Sequence, residues 1–179
     1  IRAHARRWPG LGILHIDAHA DLRAAYEGFT QSHASIMHNV VTQLPAVARL
    51  VQVGLRDVCA EEVELIAQSG GRIRPFFDAE LADARDAGVP WLAQCERIVA
   101  ELPQTVYISF DIDGLEPALC PHTGTPVPGG LRWNETLSLL AAVVRSGRRI
   151  VGFDLTEVAP GPDPADEWDA NVGARALYK

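Results

Sequence analysis

With 179 residues, 47% of them hydrophobic and 22% charged, the chain is long enough to bury a sizeable core as one globular domain. A formal net charge of −7 without any basic run excludes a nucleic-acid surface, and no apolar stretch reaches the ~18 residues of a membrane span. Cys59, Cys95 and Cys120 are widely spaced and form no C-x-x-C pair, which excludes a zinc ribbon or disulfide framework and fits reduced thiols in a cytoplasmic protein.

Residues 2–7 read as the end of a helix stopped by Pro9-Gly10. The apolar run Leu11–Ile16 is the first strand, and it leads into Asp17-Ala18-His19-Ala20-Asp21. A polar, glycine-bearing loop, Leu22 to Ser32, then passes over the end of that strand. Ile36, Val40 and Leu44 stand at helical spacing in a helix from Ser35 to Leu44, closed by Pro45. Val51–Gly54 is a short strand, Ala60–Gln68 a helix stopped by Gly70-Gly71, and Arg72–Phe77 a further strand. Helices over Ala79–Ala87 and Trp91–Leu102 precede the strand Thr105–Phe110, which runs into Asp111-Ile112-Asp113-Gly114. The loop from Gly114 to Leu131 is dense in proline and glycine, a composition that is rigid and lets backbone approach a ligand closely. Helix Asn134–Arg145, strand Ile150–Asp154 and helix Trp168–Tyr178 complete the chain, with Asp166 near the start of the last helix and Trp168 and Tyr178 read as core or subunit-contact residues. Strands alternating with helices of about ten residues imply βαβ units, an α/β fold with a mainly parallel sheet, and a single domain over residues 1–179.

The chemistry concentrates at two strand ends. Asp17, His19 and Asp21 alternate carboxylate, imidazole and carboxylate, a set suited to a borderline-hard divalent metal such as manganese. Asp111 and Asp113 repeat the alternation after a second apolar run. Either motif alone is compatible with a solvated loop. Together they place several carboxylates beside apolar strands, where they repel one another unless a cation holds them. Ligands in open α/β sheets bind at the C-terminal ends of strands, and this donor set exceeds what one ion takes from protein, so the pattern reads as a two-metal site.

These blocks resemble the ureohydrolase family (arginase, agmatinase and relatives). The resemblance rests on Asp17-Ala-His-Ala-Asp21, Val53-Gly-Leu-Arg-Asp57-Val, Ser109-Phe-Asp-Ile-Asp-Gly-Leu-Glu-Pro117, Thr123-Gly-Thr-Pro-Val-Pro-Gly-Gly130 and Asp154-Leu-Thr-Glu157-Val-Ala-Pro160, in the family's order. It implies a three-layer αβα sandwich and a binuclear manganese hydrolase of linear amidines, in which a metal-bridging hydroxide attacks a guanidinium carbon and urea is released. By position, Asp17 and Asp111 would bridge the ions, His19 and Asp113 would complete one shell, and Asp21 would bind the other ion. His33 matches the family's proton-shuttling histidine, with His38 read as structural, and Glu157 matches its guanidinium-binding glutamate.

The resemblance also marks departures. The family carries an upstream glycine-rich segment ending in a metal-ligating histidine, which has no counterpart here, so the chain is expected to be the C-terminal part of a longer protein. Neither His4 nor His15 is assigned as a substitute, and His15 is expected to point along its strand's face below the site. Arg23 stands where arginase has a carboxylate-binding asparagine, and Cys59 where it has an amine-binding aspartate. Arginine itself is therefore disfavoured, while agmatine, another guanidino compound, or a substrate whose carboxylate pairs with Arg23 stay open. A formimidoylglutamase-like hydrolase, suggested by Asp21-Leu-Arg23, and a non-catalytic relative lacking one ligand are the alternatives. The family implies a homo-oligomer, trimeric or hexameric.

Overall fold

The computed structural model describes residues 1–179. Five parallel strands, β1 (Leu11–Ile16), β2 (Val47–Leu55), β3 (Ile73–Phe77), β4 (Thr105–Asp111) and β5 (Arg149–Thr156), form one sheet in the order β3-β2-β1-β4-β5. The helices are α1 (Arg2–Arg7), α2 (Ile36–Gln43), α3 (Ala60–Gln68), α4 (Asp78–Asp86), α5 (Trp91–Ala100), α6 (Trp133–Arg145) and α7 (Trp168–Tyr178). Short 3-10 turns at His33–Ser35, Ile112–Gly114 and Pro117–Leu119 fill the connections. No helix is long and apolar enough to cross a membrane.

Two apolar layers sandwich the sheet, as expected for strands buried on both faces. On one face Leu14, Ile16, Ile108 and Phe110 pack with Ile98 of α5, Leu139 and Val143 of α6 and Val172 of α7. On the other, Leu11, Ile13 and Leu50 pack with Ala5 of α1 and with Met37 and Val40 of α2. Every residue of β1 is buried, which follows from its central place in the sheet.

Most expected boundaries hold within a residue or two. The exception is β2, which extends over Val47–Leu55 rather than Val51–Gly54. Its first residues, Val47-Ala-Arg-Leu, are buried only at Val47 and Leu50 instead of forming an apolar run, so the pattern concealed half of the strand. Trp168 and Tyr178 are not core: they are 47% and 88% exposed, and the Trp168 indole N–H donates to the Ala118 carbonyl. Asp166 does sit at the start of α7, its carboxylate accepting from the Trp168 N–H.

The chain runs outward from β1 through β2 to β3, then returns across the sheet to β4 on the other side of β1. Strand order therefore reverses between β1 and β4, which is where open α/β sheets leave a crevice. Their register, Gly12 beside Val106 through Ile16 beside Phe110, brings Asp17 and Asp111 abreast just past the last pair. Beyond them Gly114 presses on the end of β1, and a Cβ there would lie 2.8 Å from the Asp17 nitrogen and 2.9 Å from Ile16 Cγ2. The outer edge of β5 has no neighbouring strand, and beside it Leu140, Val144, Phe153 and Leu177 line an open apolar groove.

Gly114→Ala is expected to destabilise the protein by about 1–3 kcal/mol through overpacking against backbone that cannot yield. A lowered denaturation midpoint at unchanged slope in urea checks this; an unchanged midpoint would show that the two strand ends are free to separate.

Candidate metal centre

Both acidic motifs leave their strands through the same local device. The Asp17 carboxylate accepts from the His19 N–H at 2.6 Å, and the Asp111 carboxylate accepts from the Asp113 N–H at 3.0 Å. An aspartate that caps the N–H two residues on turns the chain sharply, which is why a ligand-type side chain returns to the same side at every second position. A third bond ties the turns together: Asp113 Oδ1 accepts from the Ala18 N–H at 3.1 Å.

The side chains converge accordingly. Donor atoms of Asp17, His19 and Asp113 lie within 4.8 Å of one another, as do those of His15, Asp17 and Asp21. Asp17 belongs to both triads. Asp111 stands outside them, but it lines the same cleft and its Oδ2 accepts from the Thr156 hydroxyl at 3.0 Å. His19 points Nδ1 at Asp113 Oδ2 (3.1 Å) and Asp17 Oδ1 (3.4 Å), and hydrogen bonds to those carboxylates, Asp113 first, push its pKa up to about 10. Burial, and then the Asp17 charge, hold the carboxyls of Asp21 and Asp111 well above the usual carboxylate range. Burial works against ionisation of Asp17 as well, yet His15 and His19 more than offset it, so this carboxyl is pulled down.

His15 is placed differently from expectation. Its ring is buried, and Nε2 lies 2.9 Å from Asp17 Oδ2, so it faces the cluster rather than lying below it. Burial is the largest single influence and depresses its basicity, but Asp17, Asp21 and Asp111 together outweigh it and raise the pKa to about 8. His4 stays remote, its ring edge-on to Tyr107.

Above the cluster opens a cleft of about 280 Å³, at the small end of ligand cavities. His33, on the 3-10 turn before α2, and Glu157, just beyond β5, both line it. Tyr26, from the loop over the site, meets the His33 ring edge-on at 5.3 Å, and the Arg23 guanidinium lies 5.5 Å from the Tyr26 ring centre. Cys59 does not line this cleft; it occupies the N-cap position of α3 on the far side of Arg23. His38 lies within α2 as expected, its N–H donating to the Asp21 carbonyl.

Asp21 and Glu157 share an unusual backbone. Their φ angles of +55° and +60° lie in the left-handed region, which costs a non-glycine residue on the order of 1–3 kcal/mol and clusters at functional sites. Gly124 makes room for Glu157: a Cβ there would stand 3.3 Å from Glu157 Oε2.

Four supporting residues went unassigned in the sequence. Arg56 donates to the carbonyls of Gly54, Asp113, Leu115 and Val127, clipping the end of β2 to the Asp113 turn and to the Pro/Gly loop. Gln52 holds His15 and the Ala20 carbonyl, and Thr125 and Thr156 reach Asp113 and Asp111. Of these, Arg56, Thr125 and Thr156 fall within the quoted motif blocks, whereas Gln52 lay outside them and carried no signal.

Comparison with known proteins agrees with this geometry. The family model for the Arginase family matches residues 1–179. An N(1)-aminopropylagmatine ureohydrolase of Thermus thermophilus is 35% identical over 161 residues, covering 89% of this chain and 50% of that protein. An agmatinase of Halalkalibacterium halodurans is 34% identical over 166 residues, covering 93% and 53%. Among solved structures, the proclavaminate amidino hydrolase from Streptomyces clavuligerus aligns with a TM-score of 0.77 at 31% identity, covering 99% of this chain and 57% of its own. The chain thus spans about half the length of the curated relatives it matches.

The electrostatics predict how stability depends on pH without metal. Asp21, Asp111, His15 and His19 all have pKa values raised by folding, so their contribution is present at low pH and is lost as pH rises through those raised values. Metal-free protein should therefore melt at a lower temperature at pH 9 than at pH 6, and saturating manganese should remove most of that fall. Parallel melting curves with and without metal would refute it.

Proposed function

This chain belongs to the arginase family, and from that premise we propose that it hydrolyses a linear guanidino compound to urea and an amine, using a pair of manganese ions. The observation that carries the reading is the meeting of two aspartate turns at the adjacent ends of β1 and β4, with His33 and Glu157 facing the same cleft.

The donor set fits two divalent ions. Buried carboxylates whose ionisation is held back by burial and by one another are what bound cations would relieve. Asp17 and Asp111 would bridge, and the membership of Asp17 in both triads supports this. His19 and Asp113 would complete one shell, and Asp21 would hold the other ion. When bound, such a pair lowers the pKa of water enough to supply a hydroxide nucleophile near neutrality.

The remaining roles belong to the chain. Glu157 would hold the substrate guanidinium through paired, charge-assisted hydrogen bonds, which fixes the plane of the carbon under attack. As water adds there and the bond to the alkylamine nitrogen breaks, His33 would deliver the proton that nitrogen needs to depart. Tyr26 braces the His33 ring, and Arg23 and Asp57 at the mouth would meet the far end of the substrate. We also propose, from the same resemblance, that these residues are one part of a longer arginase-like chain, with the open edge of β5 available to the remainder. A cytoplasmic location and a trimeric or hexameric assembly complete the proposal.

The test is metal content together with urea release from a panel of guanidino compounds, on the full-length protein supplied with manganese. About two ions per chain and urea from one compound are expected. Two ions without urea would favour formimidoyl hydrolysis, and no ion with no turnover would favour a non-catalytic relative. In the active protein, His33→Asn should lower kcat by about 10²–10⁴-fold with little change in KM, whereas Glu157→Gln should act mainly on KM.

A further inference from the structure

His15 and Gln52 form a buried pair beside Asp17 that the reaction does not use. His15 is 2% exposed and Gln52 is fully buried, and they face each other across the β1–β2 pairing. The Gln52 side-chain nitrogen lies 2.7 Å from the Ala20 carbonyl oxygen and 3.0 Å from His15 Nδ1. A carbonyl oxygen only accepts, so the NH2 end of the amide must face Ala20, and its second hydrogen is then directed at Nδ1. Nδ1 therefore presents its lone pair, and the proton of the neutral ring sits on Nε2. That proton points at Asp17 Oδ2, 2.9 Å away. The Gln52 oxygen has no partner, so the amide is oriented by its two donor bonds alone.

We propose that His15 is a positioning residue for Asp17 and not a substitute metal ligand. To ligate, Nε2 would need a free lone pair, and the Gln52–Ala20 arrangement places a proton there instead. Asp17 accepts from His15 on Oδ2 and from the His19 N–H on Oδ1, with the His19 ring nitrogen also 3.4 Å from Oδ1, so both oxygens are anchored. A carboxylate anchored at both oxygens cannot rotate, which is what a residue shared between two ions requires. Ligand-orienting partners of this kind typically contribute about 10–100-fold to metal affinity.

The inference rests on the two-ion reading above. Its test uses the full-length protein and does not depend on urea. In metal-free protein labelled with ¹⁵N-histidine, at a pH high enough for the ring to be neutral, His15 should show a protonated Nε2 and an unprotonated Nδ1, and Gln52→Leu should weaken that preference. By titration calorimetry, His15→Phe should bind two manganese ions with affinity reduced about 10–100-fold. His15→Gln, which keeps an N–H donor, should recover part of the loss. A proton on Nδ1 of the neutral ring, wild-type affinity in His15→Phe, or the loss of one whole equivalent of metal would each overturn the proposal, the last by making His15 a ligand. A wild-type protein that binds no manganese would overturn both readings, whereas tight binding without urea would overturn only the hydrolytic one.

Discussion

Four aspartates gathered at the ends of two neighbouring strands repel one another, and much of the surrounding fold is arranged to hold them there. Backbone does most of the holding. Each turn is closed by an N–H from two residues on, and the Ala18 N–H reaches across to Asp113, so three of the constraints come from groups that cannot rotate away. The sheet below supplies the rigidity, because β1 and β4 are buried along nearly their full length and aligned in register. The hydrogen bonds do not neutralise the charge, and the carboxyls of Asp21 and Asp111 stay raised, by burial first and by the Asp17 charge second.

The same constraint explains the outer parts of the site. Arg56 spends its guanidinium on carbonyl oxygens rather than on a carboxylate, joining the end of β2, the Asp113 turn and the Pro/Gly loop. The Pro/Gly loop that it clips needs its glycines: a Cβ at Gly130 would lie 2.6 Å from the Leu115 oxygen, and its φ of +101° excludes most side chains. Asp78 completes the brace by accepting from the Gly130 N–H. The wall of the cleft is thus stiff on the Gly124–Thr125 side, while Tyr26 comes from a loop held by its own Tyr26–Phe29 bridge and by bonds to Ala34, Asn39 and Glu62.

What was legible in the sequence follows from range. Alternating ligands after an apolar run announce themselves within a few residues, so the Asp17 and Asp111 turns, the parallel sheet and the helices Ala60–Gln68 and Trp168–Tyr178 could be read directly. Partnerships made across strands could not. Gln52 meets His15 only because β2 lies beside β1, and Thr156 meets Asp111 only through the pairing of β5 with β4. His15 was misplaced because strand alternation assigns a face but does not say how a ring turns once Gln52 and Asp17 bracket it. The roles carried over for His33, Arg23 and Glu157 came from resemblance, and local composition offered no support for them.

The left-handed backbone at Asp21 and Glu157 has a consequence for how this protein would respond to selection. Glycine relieves the conformational penalty at such positions, so a screen that rewards heat resistance alone would favour replacing both residues. Variants gathered that way would be hardier and would have shed a metal-type carboxylate and the acid facing the cleft. Melting temperature and chemistry pull in opposite directions at these two codons, and any library built on this chain needs to hold them constant.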